Sequence, residues 1–233
     1  MMRQAQAWGL IVASPVAATH SPKAERPDLD IPDAAAAQAL MAAAVGGPFE
    51  IPMVLAAYTG ARRGEVLGLA WREVDLDRGR IRITRSLEWL GGEWRFKEPK
   101  TARSRREIAI PSTVVDRLRQ HRRSQAERQL AAGPAWQNLG LVCDRGDGGP
   151  VLPDSFTQAF KRLAAQVGVP RARLHDLRHA AATTMMEAGV HPAVVSKSLG
   201  HASEAFTMAV YGHVRDEWLD SAGDALEAAY GEV

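Results

Sequence analysis

With 233 residues, 46% of them apolar and 24% charged, the chain has enough length and apolar content to bury a core, as one large domain or two small ones. A single cysteine, Cys143, excludes an internal disulfide and fits a reducing cytoplasm, and no apolar run approaches the roughly 18 residues of a membrane-spanning helix. The net charge is only +2, but Arg95–Arg128 holds 11 basic residues against 4 acidic and Glu204–Val233 holds 1 against 7, which points to an anionic partner for the middle of the chain and a solvated or docking role for its tail.

Residues 1–13 read as the end of a helix. The opening MMRQAQAWGLIVASPVAA has a faint signal-peptide outline, but its one arginine and the interruptions at Gly9 and Ser14 argue against that reading. Residues 14–32 carry four prolines among turn formers and read as a linker. Asp33 caps a predicted helix through Val45, Pro48 opens a second that Gly60 stops, and a third covers GEVLGLA. The period then shortens. RIRITRSLEW alternates charged and β-favouring residues, and with EWRFKE and RREIAIP it predicts three short antiparallel strands at about 80–88, 93–98 and 105–110. Helices return at 112–130, after Pro153, at 175–189, after Pro192, at 203–211 and, with an amphipathic pattern, at 216–229. The class is mostly α with a small three-stranded antiparallel β-sheet.

Several polar residues fall at unusual places. TGARRGE puts Arg62 and Arg63 between a glycine helix stop and the next helix start, where an anion would be held jointly by helix N–H groups and an arginine, and Glu65 is placed to clamp one of the two. Lys100 sits in a basic loop between the second and third predicted strands. HDLRHAAATT places His175, Arg178 and His179 on one face of a helix start, a pattern compatible with an anion site, a metal site or a packed polar core. The i, i+4 spacing of His175 and His179 suits zinc, yet no cysteine or acidic residue stands at ligand spacing beside them. His201 follows a glycine helix stop, and Tyr211 lies ten residues beyond it.

Taken together, Arg62, Lys100, His175, Arg178, His201 and Tyr211 suit phosphoryl transfer without metal or cofactor. Two arginines neutralise the non-bridging oxygens of a phosphodiester, a lysine protonates the leaving 5′ oxygen, and a tyrosine attacks phosphorus. With a pKa near 10, only about 0.1% of a tyrosine is ionised at pH 7, so it needs cationic neighbours and a base such as histidine.

The stretches TGARRGEVLGLAW, PKTARSRREIAIP, HDLRHAAATTM and LGHASEAFTMAVYGHV resemble, in order and spacing, the four signature blocks of the tyrosine recombinases, the phage-integrase family. The resemblance implies that Arg62 and Arg178 bind the scissile phosphate and that Glu65 buttresses the first arginine. It makes Lys100 the general acid, His175 and His201 the phosphate contacts that assist proton transfer, and Tyr211 the nucleophile. Asp176 and His179 become supports within their block. It further implies the catalytic-domain fold of these DNA breaking-rejoining enzymes, double-stranded DNA as partner, a 3′-phosphotyrosine intermediate that needs neither ATP nor metal, and a homo-tetramer on DNA formed from free monomers in the cytoplasm. On this reading residues 1–32 are the tail of a core-binding domain and its linker, 33–215 the catalytic domain, and 216–233 a helix able to dock on a neighbouring protomer or on its own domain. The chain then begins about where the catalytic domain does, as a truncated recombinase would. Two other expectations are a non-catalytic DNA-binding remnant of a mobile element and a nicking enzyme like the type IB topoisomerases.

Overall fold

Asp33 is a helix cap: its Oδ1 accepts the Ala36 N–H at 2.7 Å and starts helix α2, Ala34–Ala43. The computed structural model describes residues 2–14, 31–98 and 105–200, with a short helix α1, Met2–Ala7, ahead of this point. Helix α3, Glu50–Thr59, is buried along most of its length, from Ile51 through Ala56, and forms the centre of the fold. It stops at Gly60, whose φ of 57° is left-handed. Two residues later comes the short helix α4, Arg63–Leu67.

The strands are β1 Val74–Asp75, β2 Arg80–Ile83, β3 Ser86–Leu90, β4 Glu93–Lys97 and β5 Arg106–Ala109. They differ from the sequence reading in their grouping. The predicted strand at 80–88 breaks at Thr84–Arg85, and its halves enter different sheets. One is the three-stranded antiparallel sheet β1-β2-β5, with Ile81 opposite Ile108 and Ile83 opposite Arg106; the other is the β3–β4 hairpin, with Trp89 opposite Trp94. The break has a visible cause. Arg85 donates Nε–H to the Gly68 carbonyl at 2.8 Å and lays its guanidinium 4.2 Å over the Phe96 ring. The chain is thereby pulled onto α4, where Gly68 allows a close approach: a Cβ there would stand 2.9 Å from the Leu87 amide nitrogen.

Four helices follow: α5 Ser112–Ala132, α6 Pro153–Gln166, α7 Asp176–Glu187 and α8 Pro192–Leu199. The apolar stripe of α6 drives Phe156 and Phe160 into the main core, where Phe156 stacks on Phe49 with centroids 5.9 Å apart. The inward faces of β2 and β5 supply Ile81, Ile83 and Ile108 to the same core. A second, smaller cluster of Ala182, Met186, Val195 and Leu199 joins α7 to α8. The helices expected at 203–211 and 216–229 lie outside the described residues. Among the described residues no helix is long and apolar enough to cross a membrane.

The end of α3, the start of α7 and the end of α8 converge at Gly60. A Cβ on Gly60 would run into the Leu199 side chain and lie 3.4 Å from the Ala181 Cβ. Gly60→Ala is therefore expected to cost the left-handed strain of about 1–2 kcal/mol plus displacement of α8. Gly91→Ala, at a left-handed turn position with nothing near its Cβ, is expected to cost the strain alone. Urea denaturation of the two variants measures the difference.

Candidate functional site

Two arginines from distant parts of the chain are anchored on glycine carbonyls. Arg62 stands at the start of α4 and donates Nη2–H to the Gly200 carbonyl at 3.3 Å. Arg178, buried in the first turn of α7, donates Nη1–H to the Gly60 carbonyl at 2.9 Å. Each arginine is thus held by the left-handed end of a helix other than its own, and helix C-terminal carbonyls attract cations.

Beneath Arg62 lies a buried carboxylate. Glu65 accepts from the Arg62 amide at 2.8 Å and from Arg62 Nη1 at 3.0 Å. It also accepts a two-pronged contact from Arg106, Nη1 at 3.1 Å and Nη2 at 2.8 Å. Only 7% of the Glu65 side chain and 2% of the Arg106 side chain are exposed, whereas Arg62 keeps 46% of its side chain open to solvent. Burial by itself pushes the Glu65 carboxyl up. The Arg106 hydrogen bond and charge, with the Arg62 amide and charge, outweigh that and hold it below its ordinary value. Arg106 also donates Nε–H to the Ser198 carbonyl at 2.8 Å.

The start of α7 is built around a second buried carboxylate. Asp176 is 1% exposed and accepts the Arg173 amide at 2.8 Å and Arg173 Nη2 at 2.9 Å, at the helix N-terminus where a negative charge is favoured. One turn apart, the rings of His175 and His179 meet edge to face with centroids 5.3 Å apart. Burial lowers the affinity of His175 for a proton, and the charges of His179, Arg178 and Arg62 lower it further, against a weaker pull from Asp176. His179 is lowered by burial too, with Asp176 opposing. Both shifts favour the neutral imidazole, the form that can accept a hydrogen bond. Beside them a cavity of about 340 Å³ is lined by Arg63, Lys161, Arg173 and His175.

The structure therefore brings Arg62, Glu65, His175, Asp176, Arg178 and His179 into one region. Lys100, His201 and Tyr211 lie outside the described residues. Of the two arginines in TGARRGE, Glu65 clamps Arg62, while Arg63 turns to α6 and donates to Asp154 at 3.1 Å and Thr157 at 2.8 Å. Among the described residues no group of three or more His, Cys, Asp or Glu side chains is placed to hold a metal ion. Sequence reasoning missed Arg106 and Arg173. For Arg106 a signal existed: in RREIAIP it is in phase with Ile108 and Ile110, and an arginine on the apolar face of a strand needs a buried counter-charge.

Residues 31–217 match the model of the phage integrase family. The chain belongs to that family. A XerC-like tyrosine recombinase of Caldanaerobacter subterraneus subsp. tengcongensis is 33% identical over 185 residues, covering 74% of this chain and 47% of that protein. The ICEBs1 integrase of Bacillus subtilis is 27% identical over 179 residues, covering 77% and 48%. This integrase-family chain thus spans about half the length of the curated relatives it matches. In fold it is similar to the Tn1549 transposon integrase solved with a circular intermediate DNA, at a TM-score of 0.71 and 17% identity over 94% of this chain and 74% of that one. It is also similar to a lambda integrase dimer bound to a core site, at a TM-score of 0.58 and 19% identity over 89% and 68%. The tyrosine recombinase catalytic-domain fold is the one the signature blocks imply.

The Glu65 cluster makes stability depend on pH in one direction. The folded-state pKa is depressed, so the stabilisation is complete above the ordinary carboxylate value of about 4.5 and is lost as pH falls through the folded value. Glu65→Gln is expected to lower stability at pH 7 by about 3 kcal/mol, because it leaves Arg106 buried without its counter-charge. The variant should also lose the part of the acid slope that belongs to this group. Chemical denaturation of both proteins between pH 3 and 7 measures the two effects.

Proposed function

We propose that this chain carries the catalytic centre of a site-specific DNA recombinase that cleaves and rejoins strands through a 3′-phosphotyrosine. The observation that carries the proposal is that Arg62 and Arg178, from two different helices, are each fixed on the carbonyl of a helix-ending glycine, Gly200 and Gly60. Two guanidiniums fixed from different helices form a preorganised cradle for a phosphodiester, and their charge-assisted hydrogen bonds strengthen as negative charge develops on the non-bridging oxygens. Family membership and the DNA held by the Tn1549 and lambda integrase structures support the reading.

In this mechanism the Tyr211 oxygen bonds to phosphorus while the 5′ oxygen leaves with a proton from Lys100. His175 and His201 contact the phosphate and assist proton transfer, Glu65 orients Arg62, and Asp176 and His179 support the start of α7. The partner 5′ hydroxyl then attacks phosphorus and Tyr211 departs, so the number of phosphodiester bonds is conserved and neither metal nor ATP takes part. Residues 33–215 make up the catalytic unit, residues 1–32 the tail of a DNA-clamping domain with its linker, and residues 216–233 a docking helix. Free monomers assemble as a tetramer on two duplexes in the cytoplasm.

Covalent capture tests this. A labelled, nicked duplex taken from the junctions flanking the gene is incubated with the protein and EDTA, denatured and run on a gel. An adduct is expected for the wild-type chain, none for Tyr211→Phe, and about 100-fold less for Arg178→Ala, the scale of losing a preorganised donor to a developing oxyanion. DNA binding without an adduct is the result expected of a non-catalytic remnant and would overturn the proposal.

A further inference from the structure

The roles assigned so far leave one buried charge unused. Arg106 lies on the inward face of β5 beside Ile108, a position where a leucine would pack without desolvating a guanidinium. Among the described residues its N–H groups reach two different segments. Nη1 and Nη2 hold both oxygens of Glu65, and Nε holds the Ser198 carbonyl at the last turn of α8. The turn beyond closes tightly on the same side chain: a Cβ on Gly200 would stand 3.0 Å from the Arg106 Cδ.

What these segments carry gives the arrangement its meaning. Glu65 fixes both the amide and the guanidinium of Arg62. In sequence, Lys100 stands six residues before Arg106, and His201 follows Gly200 directly. We propose that Arg106 is a positioning residue for phosphoryl transfer, a buried guanidinium that registers Arg62 against the end of α8, the segment that leads into His201, without touching DNA. This inference rests on the recombinase reading.

The planar fork is essential to the role. A lysine is a point charge on a flexible stem; it can neutralise Glu65 but cannot reach both carboxylate oxygens and the Ser198 carbonyl together. Arg106→Lys therefore separates charge from geometry. The variant is expected to fold and to bind the nicked duplex within about threefold of wild type. Its single-turnover rate of adduct formation should fall about 10–100-fold, the scale of an ångström of misplacement at a reacting centre. Arg106→Gln, which removes charge and geometry, is expected to fall further, and combining it with Glu65→Gln should add little to the worse single variant.

Amide hydrogen exchange gives a readout that does not depend on activity. In Arg106→Lys the Arg62 amide, bonded to Glu65, and the Gly200 amide, bonded to Ser196, are expected to exchange at least tenfold faster, with Leu118 and Phe156 in the core unchanged. Capture at the wild-type rate, or unchanged exchange at Arg62 and Gly200, overturns the inference. Uniformly faster exchange across the core also overturns it, since Arg106 would then only stabilise the fold. If the wild-type chain forms no adduct the recombinase reading fails, and exchange alone decides whether Arg106 sets the geometry of the Arg62 cluster.

Discussion

The Glu65–Arg106 ion pair is the constraint on which this site depends. It is a costly choice, because two charges taken out of water must recover several kcal/mol of hydration through contact with each other and their neighbours. The recovery here is nearly complete: four N–H groups converge on one carboxylate, two from Arg62 and two from Arg106, and the third side of Arg106 is satisfied by a helix-end carbonyl. A pair satisfied on so many sides admits few alternative geometries. That rigidity passes outward to Arg62, which stays half exposed and would otherwise sample many rotamers.

The helix ends complete the arrangement. α3 and α8 both finish in left-handed glycines, and the carbonyls of those glycines receive the two arginines. The same residues that stop the helices thus supply the acceptors that orient the cations. At the start of α7 the logic is mirrored: Asp176 lies at the positive end of the helix dipole and binds back to Arg173, fixing the turn from which His175 and Arg178 project. Cation acceptors at helix ends and a carboxylate at a helix start leave the arginines facing the middle of the site.

Much of this was legible in the sequence, and the part that was not has physical reasons. Capping signals placed α2 at Asp33, α3 at Gly60 and α8 at Pro192, because these are local chemistry within a few residues of each boundary. The break between β2 and β3 was invisible because the alternation of RIRITRSLEW continues through it; what divides the strand is Arg85 reaching to Gly68, a contact between segments. β1, with two residues, is too short to show a period. Arg62, Glu65, His175 and Arg178 stood out as charges at helix boundaries. Arg106 did not, because its phase with Ile108 and Ile110 is masked by the basic stretch it sits in, and its counter-charge lies 41 residues away at Glu65.

The separations across the site have a consequence for how it comes into being. Arg62 meets Gly200 across 138 residues and Arg178 meets Gly60 across 118, and Arg106 meets Ser198 across 92. Contacts so distant in sequence form late, once the local helices and hairpins have already been ordered. A nascent chain emerging from its amino end can therefore make α3, α4 and the sheet with Glu65 already in reach of Arg62 and Arg106, yet lack Arg178 until α7 and the Gly200 and Ser198 carbonyls until the end of α8. The two arginines remain separate until α7 and α8 exist, and synthesis itself sets the moment at which the site is assembled.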